Sequence, residues 1–236
     1  MWGKKIERWR KVASAEANGI PVDLVLSLIK QESGGQVGRI AGADCRPGLI
    51  PTNAGNMVTA KRALGLMQVV PNTIKAYNKA NPSDIATFEQ MIGKSNSDAR
   101  KQVRVGCWVF RKEIHNLNKY DPLEFPAETA PEADTNQMLF AILCYRMGFG
   151  ATKKRMNEMK AKHYLLDYKV FRREYKDWGK TTEGKWINRP IHYTDTVWTN
   201  YKTHKSTSPV KSDDGTNTAI MGGLMLLAVY LWRKFS

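Results

Sequence analysis

The sequence predicts an all-α protein with one main domain, on three observations. A chain of 236 residues can bury one substantial core, so one domain with short appendages is expected. The segment Val22–Ser33 is apolar at helical spacing and lies between a proline and two glycines. Two later stretches repeat apolar residues every three or four positions: Val103, Cys107, Phe110 and Ile114 in one, and Tyr193, Val197 and Tyr201 in the other. The first stretch is interpreted as core, and the second as one face of a final helix.

The first of these helices has the clearest limits. Pro21 is tolerated at a helix start, because the N–H that proline lacks would have no partner there. Gly34 and Gly35 end the helix, because glycine adopts the left-handed conformation at little cost. Most of the helix should be buried, and Glu32 stands at its end.

Glu32 should therefore be half sheltered from water. Shelter favours the neutral carboxyl group and should raise its pKa. A carboxylic acid that stays protonated near neutral pH is what cleavage of a glycosidic bond requires. The alternative is a surface glutamate at a helix terminus.

A second informative block follows one loop later, at Gly65-Leu66-Met67-Gln68. Gly65 allows close backbone approach, Leu66 and Met67 pack, and Gln68 offers a donor and an acceptor. Taken alone, the block is also consistent with a packed turn that carries an incidental glutamine.

Glu32-Ser33 followed by this block resembles the soluble lytic transglycosylase family, in which a Glu-Ser motif precedes Gly-Leu-Met-Gln. The resemblance extends over residues 13–201 and implies an all-α, lysozyme-like fold related to the goose-type lysozymes. It implies a groove between helical lobes with Glu32 in its floor. By the same resemblance Glu32 is catalytic, and Ser33, Met67 and Gln68 bind the substrate.

Two further segments extend the resemblance. The run from Met138 to Gly150 is similar to the family's Ala-Tyr-Asn segment. Tyr145 matches the tyrosine that hydrogen-bonds to the catalytic glutamate, and the resemblance also implies that it lies among the substrate-binding residues. Arg146 replaces the usual asparagine, which changes one polar contact to the sugar. Tyr193 matches a tyrosine of the family's final helix, so it is a candidate substrate contact or a core residue.

Two reactions are consistent with these residues. In the family's reaction Glu32 acts alone as acid and base on the bond between N-acetylmuramic acid and N-acetylglucosamine, and the product is a 1,6-anhydro sugar. In the alternative, an inverting hydrolysis, a second carboxylate activates water. Asp44 is the candidate, since goose-type lysozymes keep extra aspartates after the catalytic glutamate, while Glu89 and Asp134 are other acids that folding could bring into the cleft. The resemblance favours the first reaction.

The net charge of +15, from 37 Lys and Arg against 22 Asp and Glu, indicates an anionic partner. Positive surfaces attract nucleic acid, anionic lipid and the acidic bacterial wall. The sequence has no zinc spacing, helix-turn-helix pattern or RNA-binding aromatic motif, so nucleic acid is not the expected partner. The expected partners are peptidoglycan glycan strands and a membrane.

Cysteine and histidine positions predict neither a metal nor a cofactor. Cys45, Cys107 and Cys144 are far apart, and no Cys-x-x-Cys pair occurs. The four histidines also lack the spacing of metal ligands.

The two ends of the chain have distinct compositions. Residues 1–12 form a basic amphipathic segment that either caps the domain or lies on a membrane. Residues 202–217 are polar and rich in Ser and Thr, which is typical of a flexible linker. Residues 218–235 are apolar until Arg233 and Lys234, and they predict a transmembrane helix, with packing on a partner protein as the alternative.

The N-terminus does not resemble a secretory signal. We therefore expect a bacteriophage virion protein that opens the wall locally when the phage genome enters the cell, together with other virion proteins. It would be anchored in the virion membrane or the host envelope, with the catalytic domain facing the wall. A bacterial enzyme inserted through its C-terminal helix, and a catalytically weak virion structural or wall-binding protein, are the alternatives.

Overall fold

The computed structural model describes residues 2–40, 63–125, 135–180 and 189–205. Within these ranges the chain is helical, with isolated bridges at Leu64 in place of any strand. The helices are α1 Lys4–Glu7, α2 Arg10–Glu16, α3 Val22–Ser33, α4 Pro71–Ala80, α5 Phe88–Ile92, α6 Asn96–Tyr120, α7 Thr135–Met147, α8 Phe149–Ala161, α9 Tyr168–Glu174 and α10 Pro190–Lys205. The all-α prediction is confirmed for the described part of the chain.

Helix α3 begins and ends where the sequence predicts. Pro21 directly precedes it, and Gly34 follows it with a φ of 61°, in the left-handed region. The N–H of Gly34 donates to the carbonyl of Lys30 at 3.0 Å and closes the last turn. The apolar residues of the helix are fully buried, as expected: Leu24, Val25, Leu26, Leu28 and Ile29.

Helix α6 separates two hydrophobic cores. Its start is capped by Ser95 and Asp98, each of whose side chains accepts a hydrogen bond from the other residue's backbone N–H. The predicted stripe of α6 packs into the larger core, with residues of α2, α3, α7, α8, α9 and α10. On the opposite side Val105 joins the smaller core, which contains the turn at 64–69, α4 and α5. The domain therefore has two lobes that share α6.

Helix α10 lies along both α3 and α7. Val197 and Tyr201 are buried in the larger core, as predicted. Tyr193, one turn before Val197, is carried to the end of α3, where it contacts Glu32.

The N-terminal segment packs onto the domain. Trp2, Ile6 and Trp9 are at most 6% exposed and belong to the larger core. The indole Nε1 of Trp9 donates to the carbonyl of Gly35 at 3.0 Å. Residues 1–12 were expected either to cap the domain or to lie on a membrane, and the described residues 2–12 cap the domain. Helix α2 continues across the expected boundary.

The C-terminal boundary also differs from the expected one. Residues 202–205, predicted as the start of a linker, continue α10, and the ring of His204 stacks on Trp2 with centroids 3.6 Å apart. No helix within the described ranges is both long and apolar enough to cross a membrane. The rest of the predicted linker and the predicted transmembrane helix at 218–235 lie outside the described residues.

Gln102, a residue of α6, hydrogen-bonds to the backbone of three other segments of the chain. Its fully buried side chain accepts hydrogen bonds at Oε1 from the N–H groups of Leu66, at 3.0 Å, and Gly38, at 3.2 Å. Its Nε2 donates to the carbonyls of Gln90 and Gly93, both at 2.9 Å. One side chain thus holds the chain after α3, the turn at 64–69 and the end of α5.

The turn around Gly65 requires a glycine for two reasons. Its φ of 76° lies in the left-handed region, and a Cβ there would stand 2.8 Å from Cγ of Gln102. The absence of a side chain lets the turn close onto Gln102.

Replacing Gln102 with Leu should lower the free energy of unfolding by about 3 kcal/mol, because two buried N–H groups lose their acceptor. Urea denaturation of the full chain, followed by tryptophan fluorescence, measures the loss. Gln36→Leu, at an exposed position after α3, is the control and should change stability by less than about 0.5 kcal/mol. Equal effects of the two substitutions would contradict this role of Gln102.

Candidate active site

A cleft of about 850 Å³ lies between the two lobes. Its walls come from the end of α3, the turn at 64–69, and helices α4, α6, α7 and α10. The polar and charged residues that line it include Glu32, Arg39, Gln68, Asn72, Lys112, Glu113, Tyr145, Arg146 and Tyr193.

Glu32 lies in this cleft at the end of α3. The hydroxyl group of Tyr193 donates a hydrogen bond to its Oε1 at 2.5 Å. Burial raises the pKa of Glu32, while this hydrogen bond and the charges of Arg146 and Arg39 lower it, and the net direction is upward. The carboxyl group therefore stays protonated to a higher pH than an ordinary glutamate, as a general acid requires.

Tyr193 is a neutral hydrogen-bond donor that contacts both Glu32 and Arg146. Burial, followed by the nearby Glu32 charge, raises the pKa of its hydroxyl well above the ordinary value, so it keeps its proton. The guanidinium carbon of Arg146 lies 5.2 Å from the centroid of its ring, in a cation–π contact. Arg146, which stands where the family has asparagine, thus contacts the tyrosine that holds the acid.

The sequence assigned the hydrogen bond to Glu32 to Tyr145, and this assignment is wrong. The hydroxyl group of Tyr145 instead donates to the backbone carbonyl of Met67 at 2.5 Å. Met67 is fully buried, so its carbonyl needs a donor from within the protein. Tyr193 holds the acid, and Tyr145 holds the turn at 64–69.

Two predicted substrate contacts are buried and do not line the cleft. The hydroxyl group of Ser33, fully buried, donates to the carbonyl of Ile29 at 3.0 Å and accepts from the N–H of Gly35 at 3.2 Å. The side chain of Met67 packs on α6 at Gly106, where an added Cβ would stand 2.4 Å from its Sδ. Ser33 completes the end of α3 and Met67 anchors the turn, so both position neighbouring residues.

Gln68, a predicted substrate contact, lines the cleft in a rare backbone conformation. Its φ is 50°, in the left-handed region that a residue with a side chain seldom adopts. Its Nε2 donates to the carbonyls of Gly65, at 2.8 Å, and Arg39, at 3.0 Å. The turn holds Gln68 in this strained conformation, which is characteristic of functional sites.

The acids that the sequence offered as a second catalytic carboxylate differ in where they lie. Asp44 and Asp134 lie outside the described residues, and Glu89 is exposed on α5, away from the cleft lining. Glu113, on α6, lines the cleft and is only 9% exposed. The sequence contained a signal for it, because Glu113 falls three residues after Phe110 on the buried face of α6.

Among the described residues, no group of three or more His, Cys, Asp and Glu side chains could hold a metal ion. Cys107 and Cys144 are buried as free thiols, and burial raises the pKa of Cys107 to about 12. Cys45 lies outside the described residues.

A family model for the transglycosylase SLT domain matches residues 11–167, more than half of the chain. The chain belongs to this family. It is a peptidoglycan lytic transglycosylase, with peptidoglycan as its substrate. Comparison with curated proteins and comparison with solved structures each gave no significant match.

The residue that contacts the acid of this transglycosylase lies beyond the matched region. Tyr193 is on α10, whereas the match ends at residue 167, just before α9. Helix α10 nevertheless packs along α3, so it is part of the transglycosylase domain.

Tyr193→Phe should lower kcat of the transglycosylase about tenfold or more, because a hydrogen bond to a charged group stabilises by about 1.5–3 kcal/mol. The pKa of Glu32 should rise further, since the lost bond favours the ionised form. Catalysis uses protonated Glu32, so kcat/KM falls as pH rises through this pKa, and that fall should move to higher pH.

A pH profile of kcat/KM on solubilised peptidoglycan measures this effect. Tyr201→Phe is the matched control, because Tyr201 is a buried tyrosine of the same helix that packs in the larger core and is not part of the cleft lining. A profile displaced to lower pH, or an equal change in Tyr201→Phe, would refute the role of Tyr193.

Proposed function

We propose that the transglycosylase cleaves the β-1,4 bond between N-acetylmuramic acid and N-acetylglucosamine, with Glu32 as its acid. The observation that supports this proposal is a sheltered carboxyl group of raised pKa in the cleft, hydrogen-bonded to Tyr193. Glu32 donates its proton to the glycosidic oxygen, and the bond from that oxygen to C1 of the muramic residue breaks.

The same carboxylate then acts as base. It takes the proton from the C6 hydroxyl group of the muramic residue, whose oxygen bonds to C1. The product is a 1,6-anhydro sugar, Glu32 regains its proton, and no water is consumed. The hydrogen bond from Tyr193 and the charges of Arg146 and Arg39 favour the ionised form between the two steps.

Hydrolysis is the second candidate reaction. It needs a second carboxylate that activates water. Asp44 was proposed for this role from the sequence, and Glu113 lines the same cleft as Glu32. The two reactions leave different ends, an anhydro-muramyl end in the first and a reducing end in the second.

Glu32→Gln should lower the release of muropeptides at least about a thousandfold, because the amide can neither donate nor accept the proton in turn. Purified peptidoglycan is digested with the full chain, and the products are identified by mass spectrometry. Glu89→Gln, an exposed carboxylate outside the cleft, is the control and should retain full activity. Reducing ends would select hydrolysis, and release that does not depend on Glu32 would exclude Glu32 as the acid.

We also propose that residues 218–235 hold the transglycosylase at a membrane, with the catalytic domain facing the wall. The uncharged apolar run supports this, as does the net charge of +15, which favours anionic lipid and wall surfaces. An enzyme held in this way cleaves the wall locally, as the passage of a phage genome into the cell requires. We therefore propose that it acts as a virion protein at this stage.

The full chain should float with phospholipid vesicles in a density gradient, whereas a chain that ends at Lys205 should not, because it lacks the apolar run. Ending at Lys205 retains α10 and the stacking of His204 on Trp2. Equal flotation would refute anchoring by residues 218–235. The virion role is tested separately, by probing purified phage particles for the chain and for Glu32-dependent wall cleavage.

A further inference from the structure

Glu113 is a buried acid that the reaction proposed for Glu32 does not use. It lies on α6 in the wall of the cleft and is 9% exposed. Its hydrogen bond comes from Nδ2 of Asn116, one turn along the same helix, at 3.2 Å. Burial raises its pKa, against the lowering effects of Asn116 and the charge of Lys112.

No cation within the described residues forms an ion pair with Glu113. Lys112, its neighbour in the chain, has its Nζ 5.3 Å from the centroid of the Trp108 ring, in a cation–π contact. A buried carboxylate costs free energy unless a cation or several donors compensate its charge. Glu113 has one neutral amide donor.

The other buried acids of the chain show how compensation is usually achieved. Glu16, 5% exposed, is held by Nε of Arg100 at 2.8 Å and by Nε of Arg104 at 2.6 Å. Glu32 has the Tyr193 hydroxyl group and two arginine charges. Within the described residues Glu113 has one neutral amide donor, Asn116, and the charge of one cation, Lys112, with which it forms no ion pair, and it lines the cleft.

Glu113 and Glu32 lie on different helices that line the cleft. Glu32 is near the end of α3, whereas Glu113 is on α6. Their hydrogen bonds come from different donors, the hydroxyl group of Tyr193 for Glu32 and the amide of Asn116 for Glu113. This separation favours binding of a second part of the substrate over a shared proton.

We propose that Glu113 binds a primary ammonium group of the peptidoglycan while the scissile bond lies at Glu32. An ammonium group supplies the missing positive charge, which a hydroxyl group does not. Peptidoglycan offers it from the diamino acid of a stem peptide or from a glucosamine that lacks its acetyl group. The proposal rests on the function proposed above, since it assumes that the cleft holds the glycan.

The test compares the wild-type chain with Glu113→Gln and with the control Glu89→Gln, all at full length. Glu113→Gln keeps the size and the hydrogen-bonding oxygen but removes the charge. On intact peptidoglycan it should raise KM about tenfold, leave kcat and the anhydro-muramyl product unchanged, and thus report lost binding. Glu89→Gln should match the wild type.

Two chemically altered substrates identify the group that is bound. On peptidoglycan whose primary amines have been acetylated, the wild type and Glu113→Gln should have the same KM. The second substrate is glycan strands freed of stem peptides by an amidase. If the wild type and Glu113→Gln have the same KM on these strands, the ammonium group belongs to the stem peptide. If their KM values still differ, it belongs to the sugar.

Three results would overturn the proposal. The first is an unchanged KM in Glu113→Gln, and the second is a rise in KM that is equal on acetylated and native substrate. The third is a loss of kcat with altered product ends, which would make Glu113 the base that activates water. Failure of the proposed function is distinct, because the wild type would then release no Glu32-dependent anhydro product. Thermal denaturation of Glu113→Gln should match the wild type or exceed it, which separates a binding defect from misfolding.

Discussion

The hydrogen bond from Tyr193 to Glu32 is the contact on which the candidate site depends. It joins residues 161 positions apart, so it forms only when α10 lies along α3. The packing that brings the hydroxyl group to the acid also excludes water and raises the pKa of Glu32. Burial raises the pKa of Glu32, whereas the Tyr193 hydrogen bond and the charges of Arg146 and Arg39 lower it. The net upward shift keeps the acid protonated to a higher pH than an ordinary glutamate, and its anion still has a hydrogen-bond partner.

The opposite wall of the cleft depends on a second set of long-range hydrogen bonds. Gln102 binds the backbone of the turn at 64–69 and the loop after α3, and Tyr145 binds the carbonyl of Met67. These contacts hold Gln68 in its left-handed conformation at the edge of the cleft. The motif residues that do not face the cleft therefore still matter, because they fix the backbone that presents Gln68.

Charge is distributed unevenly within the cleft. Arg39 and Arg146 act on Glu32, and Arg146 also stacks on Tyr193. The ammonium group of Lys112 lies over the ring of Trp108, and the hydrogen bond to Glu113 within the described chain comes from the neutral amide of Asn116. The chain has a large excess of Lys and Arg over Asp and Glu, yet no cation within the described residues forms an ion pair with this buried acid.

The sequence by itself determined the all-α class, the limits of α3, and Glu32 at its end. These features are local, because helix hydrogen bonds span four residues and a glycine ends a helix through its own backbone. Only the tertiary structure decided that Tyr193 and not Tyr145 binds the acid, that Ser33 is buried, and that Glu113 enters the cleft. Each of these outcomes depends on how elements far apart in the chain pack together. Motif spacing carries no information about such distances, or about which of two candidate side chains contacts a given partner.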